Sequence, residues 1–272
     1  MSQAAIIGVV VLAMMSSSVG AVALMMGGDD EKKTDPTGPG PSSPGPQYSS
    51  MTWKQIAGSL KQIDVDGDYA CGVNAGDAIF CSANGIGKDG WSQVPGTLAY
   101  VSVSNGKLLG VNGSGAIFYS PNTTGSWQAV GGVLRQAEMD NNTVCGTNEG
   151  NDVFCKTGSL SEGNWSLLPK AMKSVSVSNN KLYGVDTNND VYYKPDVTTT
   201  DNWTKIGSKK FNQVNIDGTR VCGVAPDDKI FCKDDLTGSD WKELPGRAKH
   251  VSVNKNNFYV TNPNQNVFFA SL

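Results

Sequence analysis

The chain has 272 residues, a formal net charge of −3, 39% hydrophobic residues and 32 glycines. That charge balance excludes a basic surface built for nucleic acid or for an anionic membrane face. Three arginines (Arg135, Arg220, Arg247) and one histidine, His250, leave little for phosphate clamping or acid–base chemistry, so no catalytic set, cofactor or metal is expected.

From Ala4 to Gly28 the chain carries no charge, longer than the ~20 residues a helix needs to cross a bilayer. Residues 1–28 therefore read as a hydrophobic helix that anchors the chain in a membrane. The competing reading is a signal peptide cut after Ala21-Val22-Ala23, although a basic n-region is missing. Both readings send the remainder out of the cytosol, to be membrane-anchored or secreted. Residues 29–50 contain GPGPSSPGP, cannot pack a core, and read as a semi-extended linker. This pairing of a short membrane segment with a Pro/Gly/Ser linker is also similar to envelope proteins of large DNA viruses.

Residues 51–272 are a repeat. Tryptophans stand at 53, 91, 127, 165, 203 and 241, at intervals of 38, 36, 38, 38 and 38, and a fixed period of this size marks a repeat architecture. Within each unit an alternating run such as YVSVS (100–104) has the period of a half-buried strand. A turn such as Asn105-Gly106 follows, then a glycine-centred strand, a second Asn/Asp/Gly turn, a strand such as AIFY, and the Trp strand. Four short strands repeated six times predict one blade copied around an axis, a six-bladed β-propeller. WD-repeat blades are longer and carry a Trp-Asp signature missing here, and a β-trefoil is too short for this domain. The last unit ends without a Trp strand while Met51–Ile56 supplies one with no blade before it. The N-terminal strand should therefore complete blade six and close the ring, which removes exposed sheet edges.

The cysteines fall ten apart and only in alternate units: Cys71/Cys81, Cys145/Cys155 and Cys222/Cys232. The same slots elsewhere hold Leu109/Tyr119, Tyr183/Tyr193 and Tyr259/Phe269. If the second and third strands pair symmetrically, each couple is directly opposed, at a separation that suits a disulfide. Three bridges would imply an oxidising compartment; free buried thiols are the alternative, and zinc ligation lacks both the spacing and the histidines. In the same register Gly72 faces Phe80 and Gly110 faces Phe118, which predicts room for a ring above each glycine.

WKQIAGSLKQIDVDG (53–67), CGVNAGDAIFC (71–81), WSQVPGTLAYVSVSNGKLLGVN (91–112) and WKELPGRAKHVSVN (241–254) resemble the tectonin-type β-propellers, the family of fish egg lectins and tachylectin-like proteins. The resemblance covers residues 50–272. The chain departs where Val260 replaces the glycine and where Lys170 and Ser208 interrupt the corner. The resemblance implies a six-bladed propeller that recognises carbohydrate or a microbial glycoconjugate.

Strand order puts four of the five glycosylation sequons, at Asn122, Asn141, Asn164 and Asn202, on the face that the linker joins; Asn112 falls on the other. The second face is thus the expected binding face, with Asn74, Asp77, Asn112, Asn148, Asp152, Asp186, Asp190, Asp228 and Asn262 as candidates, although any single one reads first as an ordinary turn former. The regular tryptophans read as inter-blade packing rather than sugar-stacking platforms. Asp66, Asp140 and Asp217 read as hairpin-turn residues, because one or two carboxylates per turn fall short of a calcium site. On the first strands Asp64, Glu138 and Asn215 alternate with Ser102, Ser176 and Ser252, which predicts a polar, mildly acidic axial channel. The favoured function is a non-catalytic lectin-like module. The alternative is a structural or attachment protein that uses the propeller for protein contacts. Enzymes do occur on such folds, but fold alone confers no activity.

Overall fold

The computed structural model describes residues 48–82, 84–160 and 164–272. The expected N-terminal helix and most of the linker lie outside these residues. Six four-stranded antiparallel sheets make up the domain. Blade 1 is Gln62–Asp66, Tyr69–Val73, Ala78–Ser82 and Trp91–Thr97. Blade 2 is Tyr100–Ser104, Lys107–Val111, Ala116–Ser120 and Gln128–Val133, and blade 3 is Gln136–Asp140, Thr143–Thr147, Val153–Thr157 and Ser166–Leu168. Blade 4 is Ser174–Ser178, Lys181–Val185, Val191–Lys194 and Thr204–Lys205, and blade 5 is Gln213–Asp217, Arg220–Val224, Lys229–Lys233 and Lys242–Arg247. Blade 6 takes His250–Asn254, Asn257–Thr261 and Asn266–Ser271 from the end of the chain and its outer strand, Lys54–Ser59, from the start. The innermost strands of the six blades, each the first of its blade, contact one another in a closed ring. The propeller is thus six-bladed and latched by its own first strand, with Lys54 opposite Phe269 and Ile56 opposite Val267.

Two-residue turns demand positive φ, and Asn105-Gly106 (50° and 74°) and Asn179-Asn180 (49° and 61°) supply it between the first two strands. At the outer corners a bulge has a second use. Between the pairs Ala78–Thr97 and Ile79–Val94 the register slips, with Gly96 at φ 106°. The slip turns the Pro95 carbonyl outward, where Trp127 Nε1 of the next blade donates to it at 2.6 Å. The same bond recurs from Trp53 to Pro245, Trp91 to Ala57, Trp165 to Gly131 and Trp203 to Pro169, at 2.5–2.7 Å. Each of these indoles therefore fastens its blade to the preceding one. Trp241 is the exception, buried with an unpaired Nε1. The corner it faces, Gly207-Ser208-Lys209-Lys210, is one residue longer than its counterparts, so the carbonyl is displaced.

The core is six clusters, one per inter-blade interface. The disulfides Cys71–Cys81, Cys145–Cys155 and Cys222–Cys232 all form between directly opposed residues. They pack in the interfaces 1/2, 3/4 and 5/6, while Leu109/Tyr119, Tyr183/Tyr193 and Tyr259/Phe269 fill the interfaces between. Short loops of this size are worth roughly 2–3 kcal/mol per bridge on a chain-entropy estimate.

The register of the strand glycines is as expected, with Gly72 opposite Phe80 and Gly110 opposite Phe118. The room above them is not taken by a ring from that strand, however. A Cβ at Gly72 would lie 2.8 Å from Leu60 Cδ1, and one at Gly146 would lie 2.7 Å from Leu134 Cδ1. Leu60, Leu98, Leu134, Met172 and Phe211, each just before a first strand, plug the space over Gly72, Gly110, Gly146, Gly184 and Gly223. Blade 6 inverts the sizes: Ala248 stands in the plug position and Val260 in the glycine position, both buried.

At the start of the described chain, Tyr48, expected from sequence to belong to a linker that packs no core, is instead buried and clasped between blades 5 and 6. Its hydroxyl donates to Asp234 at 2.6 Å and its ring meets Phe258 edge-on, while Arg220 Nε pairs with the other Asp234 oxygen at 2.6 Å.

Candidate functional site

Three arrangements bear on function, and the axis is the first. At the middle position of the first strands, Asp64 accepts from Ser102 Oγ and Val103 N–H at 2.9 Å and from Ser252 Oγ at 2.8 Å. Ser102, Ser176 and Ser252 each accept the backbone N–H of Met139, Ile216 and Val65 in the following blade. Asn215 accepts from Val253 N–H at 2.9 Å. Glu138 breaks this sequence: it takes the Tyr100 hydroxyl and, at 3.4 Å, the Gln136 amide. One step along the axis Gln62, Gln136 and Gln213 bridge the backbone of the next blade as side-chain mimics of a peptide group. The expected channel is therefore closed down by a belt of bonds to a cavity of about 30 Å³.

Asp66, Asp140 and Asp217 lie at its mouth. They do not close their own hairpins, as the sequence suggested; they accept the backbone N–H of Asn105, Asn179 and Lys255 in the next blade, at 2.5–2.8 Å. Burial pushes the Asp64 carboxyl up to about 6. Burial, and then the Asp64 charge, holds Glu138 well above its ordinary value. His250, at the other end of the axis, has neither ring nitrogen partnered among the described residues, and burial lowers it to about 4.

The second arrangement is the set of turns between second and third strands. Asn74 Oδ1 accepts from Gly76 and Ala78 N–H, and Asn112 Oδ1 from Ser114 and Ala116 N–H. Asp186 and Asn262 do the same for Asn188/Asp190 and Asn264/Asn266. Asn148 accepts from Asp152 N–H and donates to the Asp152 carboxylate at 3.0 Å. These side chains fold back on their own turns. Asp77 pairs with Lys61, Asp228 with Lys249 at 2.8 Å, and Asp190 with both Lys205 and Lys210, whose hydrogen bonds depress its carboxyl. The nine candidates thus sit blade by blade, each engaged locally, and no two blades pool theirs.

The third arrangement is not legible as a site in the sequence. Between blades 1 and 2 a cleft of about 220 Å³ is lined by Gly96, Thr97, Leu98, Asn112, Phe118 and Trp127. Between blades 5 and 6 a cleft of about 250 Å³ has the equivalent wall: Gly246, Arg247, Asn262, Phe268 and Trp53, with Ile230, Val260 and Pro263. Two of the nine candidates, Asn112 and Asn262, therefore do line concave surfaces beside two aromatic rings. Trp127 and Trp53 pack between blades and also line these clefts. The only sequence signal was a ring opposite each strand glycine on the same face as the corner Gly. At the 3/4 and 4/5 interfaces a lysine lies on that ring instead: Lys170 Nζ is 3.8 Å from the Tyr192 centroid and Lys209 Nζ is 3.6 Å from that of Phe231.

The sequon face is exposed at Asn122, Asn141, Asn164 and Asn202, whereas Asn112 is half-buried. Loops on that face are tied by nearly buried lysines, another feature missed from sequence. Lys156, Lys194 and Lys233 donate to the carbonyls of Leu160, Asp201 and Gly238 at 2.6–2.9 Å, and burial lowers Lys233 to about 8. No helix among the described residues is long and apolar enough to cross a membrane.

A family model for the tectonin domain matches the chain twice, over residues 46–162 and 133–271. No curated protein matches. Among solved structures, yeast RCC1 (Prp20) in complex with Kap60 superposes with a TM-score of 0.51 at 10% identity, over 78% of this chain and 66% of that one, just under two-thirds of its length. YCF48 from Cyanidioschyzon merolae gives 0.52 at 14% identity, over 77% and 81%. YCF48 bound to a D1 peptide gives 0.51 at 12% identity, over 85% of each. At these identities the likeness is one of fold.

Proposed function

The chain belongs to the tectonin family, and on that premise we propose that it is a non-catalytic, surface-displayed module that binds carbohydrate in the clefts between its blades. The observation that supports this most directly is the repeated wall of Trp, Phe, Asn and corner Gly at the 1/2 and 5/6 interfaces. An apolar ring beside a polar amide suits a sugar, whose C–H face stacks while its hydroxyls hydrogen-bond, and two equivalent weak sites gain by avidity on a multivalent surface. Both clefts open on the face away from Tyr48, where the described chain begins, and from the exposed sequons, so a propeller anchored through its N-terminus would present them outward. Three disulfides favour an extracellular or luminal setting. In this reading residues 1–28 hold the chain to a membrane and the linker that precedes Tyr48 spaces the propeller from it.

The test is a glycan array probed with the full-length chain in detergent, beside the variants Trp127→Ala and Trp53→Ala. Binding that survives loss of both indoles would remove the clefts from the account. A protein-contact function is favoured by one other observation: Val133 and Leu167, on the outer strands of blades 2 and 3, are 65% and 62% exposed. Retention of a protein partner with no glycan signal, and its loss on Val133→Asp or Leu167→Asp, would establish that second reading.

A further inference from the structure

The lysines that lie on Tyr192 and Phe231 show what kind of group these clefts accept. Lys170 stands where Gly96 stands in blade 1, and at a similar backbone angle, φ 96° against 106°. Its ammonium crosses the interface to Tyr192, which pairs with Gly184 as Phe118 pairs with Gly110. Lys209 reaches the equivalent ring, Phe231, opposite Gly223, from a different corner position in a corner of different length. Two corners of different length therefore deliver an ammonium over the equivalent ring. The face of such a ring carries the negative end of its quadrupole.

At the 1/2 interface the corner position that carries Lys170 in blade 3 is Gly96, and the corner side chain beside Phe118 in the cleft is the short, uncharged Thr97. The ring is half-buried, the Trp127 indole is held beside it by its bond to Pro95, and no charged residue lines the cleft. The 5/6 cleft differs, because Arg247 already lines it.

We propose that the 1/2 cleft takes the ammonium of a sugar bearing a free amine, in the place that Lys170 and Lys209 occupy at their own interfaces. This deepens the carbohydrate reading and rests on it. The sugar supplies the ring that a cleft of about 220 Å³ has room for beyond an ammonium. The ammonium supplies the selectivity, on the order of tenfold against the N-acetylated sugar for a partly desolvated cation over a ring.

The experiment is calorimetric titration of the full-length chain in detergent, at mildly acidic pH, with a fully de-N-acetylated glucosamine tetramer and with its N-acetylated counterpart. The expected result is about tenfold tighter binding of the free amine. Gly96→Lys should seat its own ammonium on Phe118 and abolish that preference, with its folding checked by thermal melting. Lys170→Gly should uncover Tyr192 and add one amine-selective site. Equal binding of the two tetramers would overturn the proposal and leave the carbohydrate reading intact. Binding of neither would overturn both. A preference that survives Gly96→Lys would move the site elsewhere, and equally tight binding of Nα-acetyl-lysine methylamide would overturn the assignment to a sugar.

Discussion

Asp64 accepts the Ser252 hydroxyl at 2.8 Å across the seam where the last blade of the chain closes on the first, and it also accepts Val103 N–H and Ser102 Oγ of blade 2. One carboxylate thus joins three consecutive blades at the point of closure. Its carboxyl is raised from 3.8 to about 6 by burial. A carboxyl raised in the fold stabilises fully below its unfolded value, and that contribution is lost as pH rises through about 6. The equivalent residue in blade 5 is Asn215, which accepts from Val253 N–H and donates to Ser176 Oγ at 3.3 Å. Asp64→Asn can therefore adopt a geometry already present in the molecule. We expect the variant to gain up to about 3 kcal/mol over the parent at pH 7 and to be indistinguishable from it below pH 4, as read from urea unfolding across pH. A variant less stable at pH 7 would mean that the charge itself holds the seam.

His250 should impose the opposite slope. It is 8% exposed, its ring lies 6.1 Å from that of Tyr100, and burial lowers it from 6.5 to about 4. A depressed histidine contributes stability that is present above pH 6.5 and lost as pH falls through about 4. Between pH 4 and 6 His250 offsets much of the fall set by Asp64, while Glu138, also held above its ordinary value, adds to that fall, so the parent should decline only gently there. His250→Ser, which copies Ser174 of blade 4, leaves a pH-independent cavity cost. It should also steepen the fall in stability between pH 4 and 6 by about 2 kcal/mol, the part of the His250 linkage that lies in that window. A variant profile no steeper than the parent's would remove His250 from the balance.

The blade count, the closing strand and the three bridges were readable from the chain because Trp, Gly and Cys each recur at a position whose partner lies in the same unit or at a fixed offset. What escaped was set by neighbours one blade away. Glu138 looks like Asp64 and Asn215 in sequence, yet it turns to Tyr100 because a longer side chain meets a donor there that Ser174 and His250 do not offer at the equivalent slots. The clefts escaped for the same reason: whether a corner is open depends on whether its side chain, Gly96 or Lys170, crosses to the next blade's ring. The turn residues Asn74, Asn148 and Asp186 were legible as polar and glycine-adjacent, which is the signature of a turn former and of a ligand alike.

The cleft at Asn112 makes a prediction about modification. Asn112 belongs to a sequon, yet its Oδ1 accepts Ser114 and Ala116 N–H and the Ser114 hydroxyl, and the residue forms part of the 1/2 wall. Asn122, Asn141, Asn164 and Asn202 are exposed on the opposite face. Glycopeptide mass spectrometry of the chain from a secretory host should find glycan on that face and none at Asn112. A glycan at Asn112 would fill the cleft and contradict its use as a binding site.

Ala248 and Val260 give the sharpest test of how the repeat is packed. In five blades a large plug residue covers a strand glycine so closely that a Cβ there would collide with it, as Leu60 does over Gly72. Blade 6 reverses the sizes and buries both residues, at 0% and 2% exposure. Restoring the common pair one residue at a time should fail in two different ways. Ala248→Leu overpacks against Val260, at about 1–3 kcal/mol. Val260→Gly leaves a void under a small plug and frees the backbone of a strand, at about 2–4 kcal/mol. The double variant re-creates the Leu-over-Gly arrangement of its neighbours, so its loss should be about 2 kcal/mol or more smaller than the sum of the singles in a double-mutant cycle by urea unfolding. Additive losses would show that the two positions do not share one space, and the exchange of sizes would then be coincidence rather than compensation.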